Sequence, residues 1–221
     1  MTSTGKEQYA QEESFDFSQY FYHLLSKSLQ KQNLSERCKV LFDTIAKEKE
    51  AICFRCKELL SDQASVEHLE LVALLTAIYR GLQRVLKLPA DATLKILLQT
   101  FIHEQQAHIS SFTRRALDQA EEPWRRIVSM SKDKEREFGE TFAFERIVDN
   151  AYAYQVHCTK CFYYDLAKFL EVPELMEILC AWDWNWAAGI QPEKYGFCFE
   201  RPTTIGYGSD VCRFYFYKKN S

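Results

Sequence analysis

The chain has 221 residues, 47% of them hydrophobic and 27% charged, which suits one compact domain or one domain built from two unequal halves. A formal net charge of −3 gives no electrostatic basis for nucleic acid, and short basic clusters such as Arg114-Arg115 and Arg125-Arg126 read as helix surface. The longest apolar stretch, Leu69 to Ile78, is interrupted by Glu70 and Thr76 and is too short to cross a bilayer, while Met1 to Glu12 lack the apolar segment of a signal peptide. The expectation is a cytoplasmic protein with no membrane or nucleic-acid partner, whose eight cysteines are reduced and serve as packing residues, reactive thiols or metal ligands.

Seven glycines and five prolines are few for this length and favour long helices. Residues 1–13 read as a disordered leader. From 14 to 140 the pattern is helical. Ser14 is placed to cap a first helix, and Ser35 a second that carries Val40, Leu41, Ile45 and Ile52. A third helix is expected from about Ser65, with Leu69, Val72, Leu75, Ile78 and Leu82. Pro89 closes it, and Asp91 is placed to cap a fourth running through Phe101 to Ile109. Pro123 opens a further helix, followed by the charged run Ser131 to Glu137.

After Glu140 the period changes. Ile147 to Thr159 is rich in β-branched and aromatic residues and reads as one strand. Two helices follow, Cys161–Leu170 and Pro173–Ala188. Tyr195–Ile205 and Val211–Tyr217 form the arms of a hairpin around a turn whose glycines, Gly206 and Gly208, can supply positive φ. The fold class is α+β: a helical N-terminal half packed on a small antiparallel sheet, with residues 141–221 in β-α-α-β-β order.

The groups that could carry chemistry lie in this tail. If Thr159 caps a helix, Cys161 sits in the first turn, where free N–H groups and the helix dipole favour a thiolate. Cys180 and Asp183 project to one side of the next helix, and a carboxylate between Trp182, Trp184 and Trp186 invites a raised pKa or a specific partner. Cys212 follows the glycine turn. Arg201, in the preceding arm, could grip a carboxylate bidentately, although a surface charge on an edge strand is an equally ordinary reading. Cys53-x-x-Cys56 and Cys158-x-x-Cys161 lack a knuckle's glycine and do not read as a zinc site. No phosphate loop, dinucleotide fingerprint or serine elbow is present.

Taken together, Thr159-Lys160-Cys161, Pro173-Glu174-Leu175, Cys180-Ala181-Trp182-Asp183, Phe199-Glu200-Arg201 and the closing Gly208-Ser209-Asp210-Val211-Cys212-Arg213-Phe214 resemble the signature of the L-2-amino-thiazoline-4-carboxylic acid hydrolase family, over roughly residues 145–217. One departure is Glu171, where the family pattern has a glycine. The resemblance implies a hydrolase that opens a cyclic isothiourea with water. Cys161, Asp183, Cys180 and Cys212 are its candidate catalytic groups, and Thr159, Arg201 and Trp182 its candidate substrate-binding groups. No cofactor is required in that reading. In another version Cys161, Cys180, Asp183 and Cys212 gather around a metal that activates water. Two other classes stay open: a small-molecule-binding or tailoring protein of a biosynthetic pathway, with a larger aromatic ligand, and an assembly module whose helical half makes a homodimer.

Overall fold

The computed structural model describes residues 17–219, so the leader expected at 1–13 and the cap expected at Ser14 lie outside the described residues. The helical half runs through α1 (Phe17–Lys31), α2 (Cys38–Cys56), α3 (Gln63–Leu86), α4 (Ala90–Leu97), α5 (Gln106–Asp118) and α6 (Pro123–Glu137). At its centre, α3 buries Leu69, Val72, Leu74, Leu75, Ala77, Ile78 and Leu82, so it is apolar around most of its circumference. None of the helices is long and apolar enough to cross a membrane, among the described residues.

Several helix ends differ from the sequence expectation for identifiable reasons. Ser35 opens a short 3-10 turn and caps nothing. Ser65 is the third residue of α3, not its start: Asp62 is the cap, its Oδ1 accepting the Ser65 N–H at 2.7 Å while Ser65 Oγ accepts the Asp62 N–H at 3.1 Å. Asp62 Oδ2 also accepts the Glu140 N–H at 2.7 Å, which ties the approach to the sheet onto the head of α3. These backbone N–H groups hold the Asp62 carboxyl below its usual range. Asp91 lies in the first turn of α4 behind Pro89 and makes no capping bond. The helix expected to run on to Ile109 is broken by a wide π-helical turn, Leu98–His103.

The tail is α+β, with strands β1 (Ala143–Asp149), β2 (Ala153–Lys160), β3 (Phe197–Glu200) and β4 (Cys212–Lys218) in one antiparallel sheet of order β1-β2-β4-β3. Between β2 and β3 lie α7 (Phe162–Phe169), α8 (Met176–Trp182) and the single turn α9 (Pro192–Tyr195). The one strand expected over Ile147–Thr159 is two, so the order begins β-β and not β-α. The turn is made by Asn150, whose Oδ1 accepts the N–H groups of Tyr152 and Ala153 at 2.8 and 2.9 Å. The first hairpin arm stops at Glu200, two residues before Pro202, which has no N–H for the ladder. β1 carries register irregularities at Ala143/Phe144 and at Arg146/Val148. The sheet's inner face is shared by two apolar clusters. Tyr154, Val156 and Phe216 pack with Ile127 and Leu117, and Cys158 and Cys212 join the main core with α3, α7 and α8.

The interhelix turn explains the departure at Glu171. The Val172 N–H bonds the Ala167 carbonyl at 2.9 Å and the Glu171 N–H bonds the Lys168 carbonyl at 3.0 Å, closing α7 in a Schellman motif that needs a left-handed residue between them. Glu171 occupies that position at φ 57°, where a side chain is disfavoured and glycine is not. Glu171→Gly is therefore expected to stabilise the fold by about 0.5–1 kcal/mol, read as a higher midpoint in urea with an unchanged slope.

Candidate functional site

Strand pairing brings two of the thiols together. Cys158 on β2 and Cys212 on β4 are directly opposed in the ladder. Cys158 donates to the Lys160 carbonyl at 3.1 Å and its sulfur also meets that of Cys212, which in turn accepts the Ile205 N–H at 3.2 Å. The pair shares its ionisation. Cys212 is pulled down by the Cys158 thiol, the Ile205 N–H and the charge of Arg201, and Cys158 is pushed up.

Cys161 is the N-cap residue of α7 and not part of its first turn, because β2 continues through Lys160. Its thiol is pushed up to about 12 by burial, which outweighs the Tyr164 N–H facing it. The helix-terminus argument for a Cys161 thiolate is thus overturned by desolvation. Cys180, on α8, is raised to about 11, again chiefly by burial. Its sulfur is covered by Gly206. A Cβ added there would lie 2.6 Å from Cys180 Sγ, and that close approach, not a positive φ, is what requires glycine. Of the two turn glycines, only Gly208 has positive φ, at 91°.

Asp183 follows α8 directly. Arg201 Nη1 donates to its Oδ2 at 2.8 Å, and Arg201 Nη2 donates to the Cys180 carbonyl at 2.6 Å. The Arg201 side chain is only 6% exposed and packs against the faces of Trp184 and Phe214. Asp183 keeps 30% of its side-chain surface accessible. Burial raises its carboxyl to about 6, with Arg201 offsetting part of the shift. Among the described residues, Oδ1 receives no hydrogen bond from the protein.

Cys161, Cys180, Cys212 and Asp183 are close enough that each one's charge acts on others of the group. Arg201 belongs to the same cluster, but both of its outer nitrogens are engaged within the protein. Trp182 packs on Phe21 of α1, with ring centroids 5.8 Å apart. Thr159 lies on the face of β2 opposite Cys158, its hydroxyl directed to the Ala143 carbonyl at 3.4 Å. Among the described residues, no three His, Cys, Asp or Glu side chains are disposed to hold a metal ion, so the thiols and Asp183 are neighbours without forming a coordination shell. An open cavity of about 450 Å³ borders Arg201 from the side of the π-helical turn. Ile102, Trp184, Asn185, Thr204 and Tyr207 line it, and the thiols do not.

Sequence reasoning missed two groups beside the cluster. Tyr163, on α7, feels the charges of Asp183 and Cys161, and its hydroxyl is bonded to His68 of α3. No local motif marks either residue. The alternation that puts Cys158 on one face of the strand with Tyr154 and Val156 holds in β2, where all three are buried.

The sequence matches the family model described as L-2-amino-thiazoline-4-carboxylic acid hydrolase over residues 66–216. No curated protein matches the chain. The family match reaches well beyond residues 145–217 and spans α3 to β4, the elements that supply His68, Tyr163, the four clustered cysteines, Asp183 and Arg201. On that ground the chain belongs to the L-2-amino-thiazoline-4-carboxylic acid hydrolase family.

Proposed function

We propose that this chain hydrolyses a small cyclic amidine of the thiazoline type, with Asp183 as the proton-transfer group. The ring carbon between nitrogen and sulfur is electrophilic. Water adds to it and gives one proton to Asp183, the carbon–sulfur bond breaks as the remaining hydroxyl proton passes to the ring nitrogen and the carbonyl forms, and the departing thiolate takes the first proton back from Asp183, leaving a urea and a free thiol. What carries this reading is the carboxylate itself: one oxygen is fixed by Arg201, the other accepts no hydrogen bond among the described residues, and burial pushes the group up to about 6, into the range a proton-transfer group uses. Arg201 acts as a positioning residue that sets the orientation of the carboxylate.

The sign of the pH dependence follows. Asp183 must be ionised to accept a proton, so kcat/KM for 2-aminothiazoline-4-carboxylate, followed by release of free thiol, should rise tenfold per pH unit below about 6 and level off above it. Asp183→Asn should lower kcat by about a hundredfold or more and abolish that limb while leaving the far-UV spectrum unchanged. A variant that keeps the limb would assign the proton transfer elsewhere.

The lowered ionisation of Cys212 favours a second route, in which a thiolate adds to the ring carbon before water does. Thiolate absorbance near 240 nm should show one group ionising below the ordinary thiol range in the wild type, and Cys212→Ala should remove it. If Cys212→Ala also loses turnover, and a mass increment equal to the opened ring appears on the wild type in a single turnover, the covalent route holds. Cys161→Ala, tested alongside, reports whether the more accessible thiol takes part.

The cavity beside Arg201 favours a different reading, a tailoring or binding protein for a larger ligand, because about 450 Å³ exceeds what one small ring fills. Absence of thiol release, together with tryptophan quenching by flat aromatic compounds, would select it.

A further inference from the structure

The cavity of about 450 Å³ lies where three segments meet: the π-helical turn with the start of α5, the turn after α8, and the loop between β3 and β4. Arg201 borders it, whereas Asp183 and the thiols do not. No acidic side chain lines it among the described residues, which disfavours a cationic ligand.

Asn185 lines this cavity with only 2% of its surface exposed. As the π-helical turn runs out, the Ile102 carbonyl accepts both the Gln105 N–H and the Asn185 amide, each at 3.2 Å. A carbonyl can only accept, so Nδ2 is the atom committed to Ile102 and Oδ1 lies on the other side of the amide. Among the described residues Oδ1 accepts no hydrogen bond, which leaves a buried amide half satisfied on the cavity wall. Arg201 supplies the complementary donors. Each of its outer nitrogens carries a second N–H beyond the one given to Asp183 or to the Cys180 carbonyl. Because Asp183 balances its charge, the guanidinium suits a neutral carbonyl better than a second anion.

The remaining wall is aromatic. Trp184 and Tyr207 are both exposed residues, and the Trp184 ring is backed by the Arg201 guanidinium at 5.1 Å and by Phe199, with centroids 5.3 Å apart. It forms a fixed platform on which a flat ring can lie.

We propose that this cavity binds a flat, uncharged ring system with an amide edge, whose N–H donates to Asn185 Oδ1 and whose carbonyl accepts from Arg201 while the ring lies on Trp184. Such a ligand differs in chemistry and in place from the cyclic amidine assigned to the cluster of thiols and Asp183. The proposal deepens the reading of the cavity as a site for a larger flat ligand and rests on that reading. It does not depend on what the cluster hydrolyses.

The test titrates the full chain by calorimetry with isoquinolin-1-one and isocoumarin, bicyclic probes that differ in one ring N–H replaced by oxygen. Isoquinolin-1-one should bind about tenfold more tightly, because isocoumarin leaves Asn185 Oδ1 without a donor. Asn185→Ala should bring the two probes to equal affinity. Tyr207→Ala, at an exposed position, should weaken both severalfold with an unchanged far-UV spectrum. If Asn185→Ala fails to fold for want of the bond to Ile102, the two probes on the wild type still decide, and Tyr207→Ala still locates the site. Equal affinity of both probes for the wild type overturns the amide edge and leaves a flat-ligand site standing, whereas binding of neither overturns both. A preference that survives Asn185→Ala, or affinities unchanged in Tyr207→Ala, overturns the assignment to this cavity. Turnover of 2-aminothiazoline-4-carboxylate, measured in parallel, reports on the hydrolase reading separately.

Discussion

The ion pair between Arg201 and Asp183 is the constraint on which the site depends. It joins the segment after β3 to the end of α8, and its second bond, to the Cys180 carbonyl, caps that helix with the same guanidinium. With Arg201 almost wholly buried, removal of either partner would strand a charge in a poorly solvated setting, a loss of about 3–5 kcal/mol for pairs of this kind. The pair also sets the electrostatics of the cluster. Arg201 holds back the rise of Asp183 and helps draw Cys212 down, while Cys161 is carried up chiefly by burial. Similar thiols within reach of one carboxylate's charge thus acquire opposite tendencies.

Much of the fold could be read from residue order. The 3.6-residue apolar period located the helices, the shift to β-branched residues after Glu140 located the sheet, and the proline and glycine positions located most breaks. What escaped was decided by contacts that no local pattern records. The β1–β2 turn hides inside a continuous run of strand formers, and only the Asn150 side chain, by mimicking a backbone acceptor, folds the chain back there. Asp62 rather than Ser65 starts α3 because the two side chains cap each other reciprocally, and a sequence shows the pair without showing which residue stands outside.

The site was legible in part. The spacing of Cys180 and Asp183 on one helix and the position of Cys212 after the glycine turn follow from periodicity, and the cluster they form with Cys161 was readable from the family signature. The ionisation of Cys161 was not, because a helix-terminus effect worth a fraction of a kcal/mol to about 2 kcal/mol competes with a burial term that only coordinates reveal. The link between His68 and Tyr163 spans 95 residues and joins two unremarkable side chains, so it has no local trace in the sequence. Gly206 is a subtler case. Its neighbour Gly208 has the φ that turn chemistry asks for, whereas Gly206 is small because a sulfur from another helix rests on it.

The two outer strands of the sheet have a bearing on assembly. β3 offers only four residues along its free edge, too short a template for a stable additional strand, and β1 breaks its own ladder twice while presenting Glu145, Arg146 and Asp149 to solvent. A chain trying to lengthen this sheet would meet interrupted hydrogen bonding on one border and too little of it on the other. The irregularities that shape β1 and the shortness of β3 thus both disfavour growth by strand addition.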